Sequence, residues 1–93
     1  MIDAEKQQII ELLVSECKWY FDNAQDYYSK QTEFARREKE TIKPAGLKIH
    51  ESGGLPLMRE IYTVVENECL NKYGKHCRSA LEMRWNGVGD WRG

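Results

Sequence analysis

The chain of 93 residues carries 14 basic and 15 acidic side chains, a formal net charge of −1, with 41% hydrophobic and 31% charged residues. That composition describes one small folded domain and excludes a disordered chain, and the balanced charge argues against a general nucleic-acid binder. Nothing approaches the roughly 18 consecutive apolar residues that span a bilayer, the polar N-terminus does not resemble a secretory signal, and an odd count of three scattered cysteines does not read as a disulfide framework. A reducing cytoplasm is the expected setting.

Asp3 is a plausible N-cap, and from there to about Glu40 there is neither Pro nor Gly. Ile10, Leu13, Cys17, Tyr20, Ala24, Tyr27 and Phe34 recur at helical spacing, and Val14, Phe21, Tyr28 and Ala35 make a second row. The spacing predicts one helix over about 4–40, roughly 54 Å long. Its weakest stretch is Asp22, Asn23 and Asp26, whose short polar side chains compete for backbone hydrogen bonds. The helix is expected to end in the charge cluster Arg36-Arg37-Glu38-Lys39-Glu40, because Pro44 disfavours helix at Lys43. Breaker residues Pro44, Gly46, Ser52, Gly53 and Gly54 predict a loop over 44–54.

A second helix is predicted over about 56–72, with Pro56 in its first turn and Gly74 as a left-handed cap. Leu57, Met58, Ile61, Tyr62, Val64, Val65, Cys69 and Leu70 lie on and around its apolar face, and Glu68 can pair with Lys72 four residues on. A short third helix over about 76–85 precedes a tail, 86–93, that is rich in Gly and ends near Trp91. The expected fold is all-α: the long first helix packed antiparallel against the second and third, as a helical hairpin. The second apolar row of Val14, Phe21 and Tyr28 would then stay wet, so a homodimer completing a four-helix-like bundle is expected. The competing arrangement is a three-helix monomer with helix 1 broken near Asn23.

The sequence predicts no catalytic residue, metal or cofactor. It lacks the phosphate-loop, dinucleotide, zinc-protease and nucleophile-elbow motifs. Cys17, Cys69, Cys77, His50 and His76 could supply metal ligands, yet no C-x-x-C occurs and His76-Cys77 are adjacent. Cys17 and Cys69 fall in apolar series, where cysteine acts as a small buried hydrophobe. The expected function is therefore a non-enzymatic protein–protein interaction or adaptor module. Its partner surface is assigned to Arg84, Trp85, Val88 and Trp91 in the tail region and to Arg36 and Arg37, since Trp is a common interface anchor. The competing expectation for the tail is that Trp85 and Trp91 fold back near Trp19. The alternative function is a small nucleic-acid-binding regulator that uses the third helix, with Lys75, Arg78 and Arg84, and the basic end of the first.

Overall fold

The computed structural model describes residues 1–92 and is all-α, with no strand among them. Helix α1 spans Asp3–Asn23. A 3-10 segment, Ala24–Lys30, then turns the chain, with Asp26 at φ −102°, ψ 20° and Lys30 at φ −121°, ψ 23°. The cause is local: Asn23 donates its side-chain amide to Trp19 O at 2.7 Å, Ser29 donates to Asp26 O at 2.9 Å, and Lys30 donates to Asn23 Oδ1. Such side-chain bonds give the backbone alternatives to the helical ladder. The predicted straight helix over 4–40 is thus corrected. The greatest extent of the molecule is 37 Å, too short for the roughly 54 Å that helix would need.

Helix resumes as α2, Gln31–Arg37, widens through a π turn, Glu38–Ile42, and continues as α3, Lys43–Tyr73. The predicted loop over 44–54 is helical as far as a corner at Gly54, where φ is 67° and ψ −163°. Pro44 sits in the first turn of α3, directly after the π turn, where its missing N–H has least consequence. Gly46 is a packing position: a Cβ there would lie 2.6 Å from Trp85 Nε1. The corner at Gly54 divides α3 into limbs 43–53 and 55–73, and Gly74 caps the second in the left-handed region, as expected.

Direction follows from cross-chain pairs. Glu16 pairs with Arg37 and Glu5 with Lys48, so 31–53 runs antiparallel to α1. Lys6 pairs with Glu60, and Phe21 packs on Tyr73, so 55–73 runs parallel to α1. The topology is up-down-up, and the expected antiparallel pairing of the first helix with 56–72 is corrected. The predicted third helix is a π turn, Arg78–Glu82, followed by a 3-10 turn, Met83–Trp85.

The core unites Ile9, Ile10, Leu13, Val14 and Cys17 with Ile42, Ala45 and Ile49, and with Met58, Ile61, Val65 and Cys69. Cys77, Leu81, Trp85, Val88 and Trp91 complete it from the C-terminal segment. Within one chain, Val14 is buried and Phe21 half-buried, while Tyr28 stands exposed on the bend. One chain therefore covers the Val14 and Phe21 end of the second apolar row, and leaves Tyr28 and Ala35 exposed. No helix among the described residues is long and apolar enough to cross a membrane.

Candidate metal centre

The residues assigned to a partner surface lie mostly inside. Trp85 is fully buried, and Val88, Trp91 and Arg84 nearly so. Trp85 Nε1 donates to Ile42 O and Trp91 Nε1 to Glu82 O, both at 2.9 Å, and the two rings meet edge to face 5.1 Å apart. The tail folds back, as one expectation held, but against 42–46 and Tyr62; Trp19 instead packs on Phe34 and Arg37. Arg84 donates to Phe34 O at 3.2 Å and lies 3.6 Å from Glu38. Burial pushes its pKa down, against the opposing pull of Glu38 and Glu16.

Arg36 is exposed and held by Glu33 and Glu40. Arg37 bonds Glu16 and Glu33 at 2.8 Å each and lies over the Trp19 ring. These two guanidiniums have carboxylate partners already, and the pair does not form a cationic patch.

What the fold does bring together is every cysteine in the chain. Cys17 on α1, Cys69 on limb 55–73 and Cys77 after the Gly74 cap are all buried, and their sulfurs lie within 4.8 Å of one another. The parallel pairing causes this. Cys17 sits near the C-terminal end of α1 and Cys69 near that of its parallel neighbour, and the turn at Gly74 returns Cys77 to the same level. The expected antiparallel packing would have set Cys69 well beyond Cys17, and the spacing alone, without a C-x-x-C and with His76 next to Cys77, argued against a ligand set. Each cysteine's place on an apolar face was readable; their meeting was not.

The surrounding groups make the trio chemically distinctive. Cys77 Sγ donates to Glu66 Oε2 at 3.5 Å, the Tyr62 hydroxyl donates to the same oxygen at 2.7 Å, and His76 Nδ1 lies 2.5 Å from Glu66 Oε1. Burial alone would raise the pKa of Glu66, but the bonds from Tyr62, His76 and Cys77 outweigh it and hold the carboxylate below its usual range. Tyr62 is pushed up by burial and by Glu66, so it remains a donor.

The three thiols titrate as a unit. Bonds from Cys17 and Cys77 pull Cys69 down; the bond to Cys69 pushes Cys17 up; bonds to Cys17 and Cys69, with burial, push Cys77 up. Negative charge on Cys69 is thus stabilised by thiol bonds from its two neighbours. Three soft sulfurs converging on one point form a donor set for a thiophilic cation, which would take the place of the remaining protons. His50, the other histidine considered as a ligand, is bonded to Asp90 at 3.0 Å and takes no part.

No protein-family model, curated protein or solved structure matches this chain.

Proposed function

We propose that the protein binds a thiophilic metal ion through Cys17, Cys69 and Cys77 in a non-catalytic role. The observation that carries this reading is the convergence of three buried sulfurs, drawn from three separate segments, within 4.8 Å. Sulfur–metal bonds of about 2.3 Å place tetrahedral sulfurs about 3.8 Å apart, so modest side-chain rotation closes the set around an ion. A reducing compartment such as the cytoplasm suits three free thiols. The test is titration of the reduced protein with cobalt(II) and zinc(II). A thiolate-to-cobalt charge-transfer band, bleached by zinc, is expected. Cys17→Ala, Cys69→Ala and Cys77→Ala should each weaken zinc by more than the roughly 10–100-fold typical of losing a supporting partner. Absence of the band in the wild-type protein would sink the reading and leave the cysteines as core filling.

A second reading keeps the expected interaction module, with a second copy as the partner. Tyr28 is 88% and Tyr27 47% exposed on the bend, beside a cleft of about 260 Å³ lined by Tyr20, Phe34 and Arg84. Light scattering at a mass of about 22 kDa, falling to one copy on Tyr28→Asp, would support self-association through this patch. A single-copy mass of 10.9 kDa at all concentrations would end it. The nucleic-acid alternative has less behind it, since Arg36, Arg37 and Arg84 are paired or buried.

A further inference from the structure

Building on the thiolate site, we infer that Glu66 is its fourth ligand, making an S3O set that selects a divalent ion such as zinc over copper(I). The inference rests on the metal-binding reading and adds the identity of the ion.

The geometry of one edge carries it. A tetrahedral ion with a bond of about 2.3 Å to sulfur and about 2.0 Å to oxygen separates those two ligands by about 3.5 Å. Cys77 Sγ and Glu66 Oε2 are 3.5 Å apart, joined by the thiol proton. An ion entering between them replaces that proton and need not spread the pair. The opposite carboxylate oxygen is held by His76, and Tyr62 steadies Oε2 itself. Outer partners of this kind fix the direction of a ligand and tune its basicity.

Charge points to the same class of ion. Three thiolates and a carboxylate are four negative charges, more than a monovalent ion can offset in a buried place. Copper(I) is satisfied by soft sulfur donors alone, whereas zinc accepts a carboxylate oxygen as readily as sulfur. Glu66 thus supplies the harder donor that distinguishes the two.

Access suits the proposal as well. His76 is exposed and Glu66 mostly buried behind it, in an open cleft of about 570 Å³ that also involves Tyr62, Leu70 and Arg78. Of the four proposed ligands Glu66 is the one that lines this cleft, while the three cysteines are fully buried.

The experiment compares zinc(II) and copper(I) affinities of wild-type protein, Glu66→Gln, Glu66→Asp and His76→Ala, each by competition with a chromophoric chelator. Glu66→Gln should lose zinc affinity by about 100-fold or more while copper(I) changes by less than about threefold. His76→Ala should lose about tenfold for zinc, as an outer partner does. Glu66→Asp, which keeps a carboxylate, should fall between wild type and Glu66→Gln. A crystal structure of the zinc-loaded wild-type protein should place Glu66 Oε2 about 2.0 Å from the ion, beside three sulfurs. It supplies the answer even if Glu66→Gln fails to fold. Four-coordinate zinc with nitrogen in the first shell, or full zinc affinity in Glu66→Gln, overturns the role of Glu66 and leaves the thiolate site standing. Failure of wild-type protein to bind either ion removes the metal-binding reading, and the inference with it.

Discussion

Gly46 shows how one absent methyl group sets the packing of this protein. Trp85 lies against its Cα and donates to Ile42 O one turn earlier, so the largest core side chain depends on a glycine in mid-helix. Alanine raises helix propensity by up to about 1 kcal/mol, but here its Cβ would meet the indole. Gly46→Ala should therefore lower stability by about 1–3 kcal/mol, read as a shift in the urea midpoint; a rise would contradict the Trp85 packing. Sequence alone presents Gly46 as a breaker, since the indole that demands it lies 39 positions downstream. Glu66 makes a pH prediction at the same scale. Its folded-state pKa lies below the unfolded value, so its contribution is complete above about pH 4.3 and lost as pH falls through the folded pKa. In metal-free protein, Glu66→Gln should flatten that part of the acid limb of the stability curve. An unchanged limb would mean that the Tyr62 and His76 bonds do not favour the charged carboxylate.

Among the elements, the bends carry most of the information. Asp22, Asn23 and Asp26 marked the weakest stretch before the bend at 24–30 although one continuous helix was expected there, and Pro56 and Gly74 marked the ends of limb 55–73 correctly. Within limb 31–53 the helix up to about 40 was legible, but its continuation over 44–53 was not, because Pro44 and Gly46 read as punctuation although the π turn and Trp85 accommodate them. The true corner is Gly54, in a region of φ and ψ that is essentially reserved for glycine; Gly54→Ala should cost about 1–3 kcal/mol. Against α1, this limb is held by Arg37, whose guanidinium bridges Glu16 and Glu33. Glu16 is 8% exposed, and its Oε1 has no hydrogen-bond partner. Arg37→Met should thus destabilise by about 3 kcal/mol, the cost of leaving a buried charge uncompensated. Adding Glu16→Leu should recover much of it. If the double variant is no better than the single one, the loss lies in the Trp19 contact instead.

For the whole molecule, all-α content and the identity of the core faces were readable from periodicity. Handedness of pairing was not, because a helix-period stripe says which side is buried but not which way the neighbour runs. That single ambiguity separated a hairpin with scattered cysteines from an up-down-up bundle with clustered ones. Metal linkage belongs to this scale. At free zinc a hundred times its dissociation constant the folded state should gain about 2.7 kcal/mol, seen as a rise in melting temperature that Cys17→Ala abolishes. Since the sulfurs bind after losing protons, the gain should shrink as pH is lowered toward 5. A gain independent of pH would exclude thiolate ligation.

The order of the cysteines along the chain gives the site a history. Cys17 leaves the ribosome about fifty residues before Cys69, and Cys77 follows, so the complete donor set cannot form until all three segments have been made. A nascent chain holds one buried-to-be thiol with no companions, and any ion it captures is bound weakly and exchanges. Only docking of the last limb and the turn after it converts that thiol into part of a closed set. At the proposed site, tight ion capture would follow the docking of these three segments, and a tightly held ion would mark a chain that has reached the up-down-up topology.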